Sequence, residues 1–146
     1  MTKIIMLASA YLRQAYSRLK DAKDALNDKN YPYALRLSQE AVELSLKASL
    51  RLVGIEYPKV HDVSDILLDV GDRFPKWFMS ELRFLAKASY ILASKREIAF
   101  YGGEEELLSP DELIDRNEGK EAVEMAEKVY TLCKKFLDEI KEKSKA

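Results

Sequence analysis

From Ile5 to Leu26 the chain places an apolar or small residue at every third or fourth position: Ile5, Ala8, Leu12, Ala15, Leu19, Ala22 and Leu26. That period sets the whole series on one side of an α-helix, and the alternating alanines suit close, nearly antiparallel packing against a neighbour. "NDKNYP" interrupts it. Asn30 has the side chain to accept from a free N–H at a helix start, and Pro32 fits the first turn because it has no N–H to leave unpaired. A second helix is predicted from about Pro32 to Val53, with Ala34, Leu37, Ala41, Leu44 and Ala48 on one face and Leu35, Val42, Leu46 and Val53 on another. So wide an apolar arc belongs to a central helix with neighbours on more than one side. Gly54 can take the left-handed conformation that closes it.

Further along, "DVSDILLDV" reads as a short helix ended by Gly71. A fourth helix is predicted from Pro75 through Tyr101, with Phe78, Leu82, Leu85, Ser89 and Leu92 on one stripe, stopped by Gly102 and Gly103. "SPDEL" gives Ser109 as cap, Pro110 in the first turn and Glu112 reaching back, a short helical turn that "DRNEG" then breaks. The last helix is expected over about Gly119 to Lys143, with Ala122, Ala126, Val129, Cys133, Phe136 and Ile140 on its face. The fold class that follows is all-α: an up-and-down bundle of four long helices with one or two short ones. With 5 Gly and 4 Pro in 146 residues, turns are too few for a sheet. Residues 1–146 make one domain, long enough to bury roughly 70% of the surface of its unfolded chain without a disulfide or metal.

Several function classes fall away on composition. Cys133 is the single cysteine and has no internal partner. No apolar run approaches the roughly 20 residues of a membrane span. The stretch Ile4–Ala10 is at the short limit for a secretion signal and runs directly into the amphipathic repeat, so it reads as helix. A soluble, cytoplasmic protein is the expectation, without a membrane partner. The formal net charge of −1 gives no global attraction to nucleic acid, so a polyanion would need a local basic patch.

The stretch from Tyr31 to Leu67 holds most of the candidate chemistry. Arg36, Glu40, Glu43, Lys47 and Arg51 follow one another at spacings of four, three, four and four on the second helix. Taken alone they read as a solvated face with a Glu43–Lys47 ion pair. Ser38, Ser45 and Ser49 lie beside the alanines and read as packing positions, since a serine nucleophile needs an adjacent base. His61, the only histidine, reads as a structural hydrogen-bond partner. One His, one Cys and no Glu-x-x-His pair make neither a zinc nor a di-iron site, so no metal and no cofactor is expected. "GGEEELLSPDELID" reads as a solvated acidic loop.

Together these residues resemble the core signature of the HEPN domain, the "higher eukaryotes and prokaryotes nucleotide-binding" helical bundle. The match runs through an aromatic-then-alanine start to the second helix and then Ser38, Gln39, Ala41, Glu43, Lys47, Ala48, Gly54, His61 and Asp62. Arg96 and Tyr101 fall where the family has an arginine and an aromatic before a proline-containing loop, and "EAVEMAEKVY" resembles the family's last helix. The resemblance covers nearly the whole chain.

What it implies about function is divided. One branch of the family consists of ribonucleases, often toxins, with an arginine followed four to six residues later by a histidine, acting on RNA as dimers. Here the nearest arginine before His61 is Arg51, and neither Arg96 nor Arg116 is followed by an imidazole. The other branch contains small proteins that accompany minimal nucleotidyltransferases or lack an established catalytic motif. The sequence reads closer to this second branch: no catalytic residue, a homodimer, and a nucleotide, RNA or nucleotidyltransferase partner. The resemblance and the two-sided apolar second helix both point to the dimer. Candidate binding residues are Gln39, Glu43, Lys47, His61, Arg96 and Tyr101, with Lys47 and Arg96 toward phosphate, Tyr101 toward a base, and Glu43 orienting Lys47 or pairing with Arg96. An internal Arg96–Glu43 ion pair without a ligand is the structural alternative. A divergent ribonuclease using Arg96, Tyr101 or His61, or a purely structural, antitoxin-like partner, are the competing classes.

Overall fold

The structure, a computed structural model, describes residues 2–145. Seven α-helices account for most of these: α1 (Thr2–Asn27), α2 (Tyr31–Leu52), α3 (Ser64–Asp69), α4 (Lys76–Met79), α5 (Leu82–Tyr101), α6 (Pro110–Leu113) and α7 (Arg116–Lys145), with a 3-10 turn at Gly71–Arg73. Among the described residues the only β pairing is an isolated bridge between Gly103 and Leu108.

Cross-helix contacts fix the directions. Arg18 of α1 meets Glu40 of α2, Arg96 of α5 meets Gln39 of α2, and Lys95 and Lys128 tie α5 to α7 through Glu118 and Glu81. Arg18 and Arg96 lie in the later halves of α1 and α5 and meet the earlier half of α2. Lys95 near the end of α5 meets Glu118 at the start of α7, and Glu81 before α5 meets Lys128 further along, so α1 and α5 run against α2 and α7. The result is the expected up-and-down bundle.

α2 is the hub, touching α1, α5 and α7. Its Ala34, Leu35, Ala41, Val42, Leu46, Ala48 and Leu50 are at most 1% exposed, so both apolar faces are covered within the chain. The two-sidedness read from sequence is therefore largely consumed by the monomer's own core, with only Leu44 and Val53 of those faces partly exposed. Ser38, Ser45 and Ser49 are fully buried and serve as the small positions against which helices close. Gly54, at φ 79°, ends α2 as expected, with the Ile55 N–H returning to the Leu50 carbonyl at 3.0 Å.

Two boundaries differ from expectation. The helix predicted from Pro75 to Tyr101 is broken at Ser80–Glu81, where the Ser80 hydroxyl donates to the Trp77 carbonyl at 2.6 Å and the Glu81 N–H closes a three-residue turn on Phe78 at 2.9 Å. The break turns Phe78 into the core, its ring 4.3 Å from Phe74 and 5.3 Å from Phe136. Helical spacing continues across it from Phe78 to Leu82, so the pattern alone does not reveal it. α7 begins at Arg116, three residues early, because the Asp115 carboxylate accepts the Glu118 N–H at 2.9 Å and caps the helix. Gly119 lies inside that helix, where a Cβ would come within 3.1 Å of the Tyr31 Cβ. It marks a close approach of α7 to α2, not a stop.

Candidate functional site

The polar residues of α2 do not form a solvated face. Arg36, Glu40, Glu43 and Lys47 lie in a seam closed by α1, by α5 and by the loop after α2, and the Lys47 and Glu43 side chains are only 12% and 18% exposed. Helical spacing stacks Gln39, Glu43 and Lys47 on one line. Lys47 Nζ donates to Glu43 Oε2 at 2.8 Å, and Gln39 Nε2 donates to Glu43 Oε1 at 2.9 Å. The amide oxygen of Gln39 then accepts from Arg96 at 2.5 Å. Arg96 also lies 3.9 Å from Glu40, which takes Arg18 at 2.9 Å and Arg36 at 3.4 Å. The expected Glu43–Arg96 pair is therefore not made directly: Gln39, 2% exposed, stands between them with its amine end to the carboxylate and its carbonyl end to the guanidinium.

His61 reaches this seam from the loop after α2. Its Nδ1 lies 2.8 Å from Glu43 Oε1. A carboxylate only accepts, so Nδ1 carries the hydrogen and Nε2 of the neutral ring is left as an acceptor. The neighbouring loop is tied down by Asp62, whose Oδ1 accepts the Ser64 N–H at 2.9 Å and the Ser89 hydroxyl at 3.0 Å, while the Ser89 oxygen accepts the Val63 N–H at 3.0 Å. Upstream, Tyr57 donates to Tyr11 at 3.1 Å, and its ring lies 5.1 Å from the Lys47 amine.

Burial by itself would raise the Glu43 carboxyl, but the bonds from Lys47, Gln39 and His61 outweigh it and hold the group below its ordinary 4.5. The seam gathers Arg18, Arg36, Lys47 and Arg96 against Glu40 and Glu43, so fixed cations exceed carboxylates in a chain whose net charge is −1. At its surface is a cleft of about 190 Å³ lined by Arg18, Glu40, Glu43, Leu44, His61 and Arg96. Larger hollows of about 710 and 730 Å³ lie along the C-terminal half of α7, and neither contains these interlocked charges.

Of the six residues expected from sequence, Gln39, Glu43, Lys47, His61 and Arg96 are joined in one network. Tyr101 stands apart, 60% exposed with its ring against Phe100. Phe100 takes the inward place, its centroid 3.9 Å from the Arg36 guanidinium and 5.5 Å from that of Arg96. Sequence reasoning missed Arg18, Phe100 and the anchoring role of Ser89, and it took Arg36 and Glu40 for surface charge. A signal for Arg18 exists: it lies three after Ala15 and four before Ala22, at the edge of the buried stripe of α1. Among the described residues no three His, Cys, Asp or Glu are grouped to hold a metal ion, and no helix is long and apolar enough to cross a membrane.

An all-α bundle with a charged seam on its central helix is the class that fold and site define. The HEPN domain family matches residues 8–136, and the chain belongs to that family. Among solved structures, TT1696 from Thermus thermophilus is similar at 22% identity over 88% of this chain and 96% of that one, with a TM-score of 0.69. ST0689, described as an archaeal HEPN homologue, is similar at 21% identity over 89% and 97%, with a TM-score of 0.68. At these identities the likeness is one of fold. A comparison with curated proteins finds no match.

Proposed function

We propose that the chain binds a phosphate-bearing ligand, a nucleotide or a segment of RNA, in the cleft between α1, α2 and α5. The observation that carries this reading is the convergence of Arg18, Arg96 and His61 on one small cleft, backed by more cations than carboxylates. Guanidinium groups already held by Glu40 and Gln39 are pre-organised, so little side-chain entropy is lost when they turn spare N–H donors to a phosphate oxygen. Titration calorimetry with nucleoside mono- and triphosphates and a short RNA tests it. Saturable binding weakened at least tenfold by Arg96→Ala is expected; no heat with any of these ligands overturns it.

The chain is proposed to act as a homodimer in the cytoplasm, alone or beside a minimal nucleotidyltransferase as the family resemblance implies. Since the faces of α2 are largely buried, the support for self-association is the set of exposed apolar side chains Tyr90 at 62% and Tyr101 at 60% on α5 and Leu107 at 89% in the loop after it. A monomeric mass by light scattering at tens of micromolar contradicts the homodimer.

One observation favours a second reading. The imidazole that is missing from the ribonuclease spacing is brought to the same cleft as Arg96 by the fold, with a carboxylate on its Nδ1. A base so placed, beside a cation, is an arrangement suited to abstracting a 2′-hydroxyl proton from RNA. Cleavage of RNA that disappears in both His61→Ala and Arg96→Ala supports this reading; intact RNA with and without divalent metal removes it.

A further inference from the structure

We propose that a second cleft, next to the phosphate site, is a base-recognition subsite that prefers guanine; the proposal rests on the phosphate reading above and extends it. The cleft has a volume of about 210 Å³ and is formed where the start of α2 meets the end of α5 and the start of α6. That is below the ~300 Å³ at which pockets for drug-sized ligands begin, so it suits a fragment the size of one base.

Its walls have the chemistry of a base site. The Arg36 guanidinium lies 3.9 Å from the Phe100 centroid and 5.3 Å from that of Tyr33, and both rings remain more than a third exposed. Aromatic rings and the guanidinium plane are the surfaces on which unpaired bases stack. The two clefts are linked through Glu40: it lines the phosphate cleft, and it is reached both by Arg96 of that cleft at 3.9 Å and by Arg36 of the second at 3.4 Å. A nucleotide bridging them has its phosphate toward Arg96 and its base toward Arg36.

The polar groups decide which base. Asp111 lines the second cleft, is exposed, and makes no hydrogen bond or ion pair among the described residues. Asn30 is committed through its side-chain oxygen to the Tyr33 N–H at 3.4 Å, which leaves its NH₂ group free to donate. An acceptor pair beside a donor matches the edge of guanine, whose N1–H and N2–H lie adjacent and can both meet one carboxylate while O6 takes the amide. Adenine, cytosine and uracil each direct a single N–H along that edge, so they leave one carboxylate oxygen unmatched.

The test compares guanosine, adenosine, cytidine and uridine 5′-monophosphates with ribose 5-phosphate, on the intact chain and on Asp111→Asn. Asp111 is exposed, and the Ser109–Glu112 capping box that starts α6 does not involve it, so the variant keeps the fold. Guanosine monophosphate is expected to bind about tenfold or more tighter than ribose 5-phosphate and than the other nucleotides. Asp111→Asn is expected to remove that advantage while leaving ribose 5-phosphate unchanged. The base subsite is overturned if ribose 5-phosphate binds as tightly as guanosine monophosphate, if another base is preferred, or if Asp111→Asn keeps the guanine preference. Ribose 5-phosphate and all four nucleotides failing to bind sinks the phosphate reading itself, and this inference with it.

Discussion

Replacing Glu43 by glutamine keeps the side chain's size and one acceptor but removes the charge on which Lys47 and His61 converge. The Lys47 side chain is 12% exposed, and its one carboxylate partner among the described residues is Glu43 at 2.8 Å. Removing one member of a fully buried pair costs about 3–5 kcal/mol. Here the glutamine oxygen still accepts one bond and the amine keeps the Tyr57 ring at 5.1 Å, so a loss of about 2–3 kcal/mol is expected. At about 2–4 °C per kcal/mol for a chain near this length, Tm falls by roughly 4–12 °C. The sign of the pH dependence is fixed by the folded carboxyl titrating below its ordinary 4.5: its stabilisation is complete well above that value and is lost as pH falls through the folded pKa. The gap between wild type and Glu43→Gln in urea unfolding is therefore widest at neutral pH and narrows as the pH falls below the ordinary 4.5. Adding Lys47→Met to Glu43→Gln removes the unpaired cation and recovers part of the loss. A Glu43→Gln variant within about 0.5 kcal/mol of wild type at pH 7, or a gap that widens in acid, refutes the view of Glu43 as the anchor of the seam.

Phe78→Ala empties the centre of the aromatic cluster with Phe74 and Phe136; for a fully buried ring the expected loss is about 3–5 kcal/mol, read as a lower urea midpoint with little change in slope. Cys133 is buried and its thiol pushed up to about 12 by that burial, so alkylation by iodoacetamide at about pH 8 should be at least roughly 100-fold slower than in urea-unfolded chain, and equal rates contradict it. Asp62→Ala releases the Ser64 and Ser89 bonds that fix the loop beside His61; faster hydrogen exchange at the Val63 and Ser64 amides is expected, with α1 and α7 unchanged.

Helix-level organisation was readable in the chain because the apolar residues that set it recur at one period over long stretches. The kink at Ser80 escaped because Phe78, Leu82 and Leu85 keep helical spacing across it, and the early start of α7 because "DRNEG" reads as a break although its Gly119 serves a close contact inside the helix. The site was legible where its members share a helix. Gln39, Glu43 and Lys47 lie on one line of α2, and the family resemblance added His61 and Arg96. What sequence could not supply was which charges are covered. Arg36 and Glu40 have the spacing of a solvated face, and only the packing of α1 and α5 over them, with Arg18 and Phe100 arriving from elsewhere, turns that face into a seam. The same limit hid the meeting of His61 and Arg96: separated along the chain, they line one cleft.

Because His61 is the only histidine in the chain, its ring protons give the NMR spectrum a single reporter inside the cleft. Titrating guanosine 5′-monophosphate and then inorganic phosphate into the protein should shift those signals saturably, as a bound anion changes the surroundings of the ring. Arg96→Ala should abolish the shift. Signals that stay in place at millimolar ligand, in a protein that is otherwise folded, contradict the assignment of this cleft to phosphate.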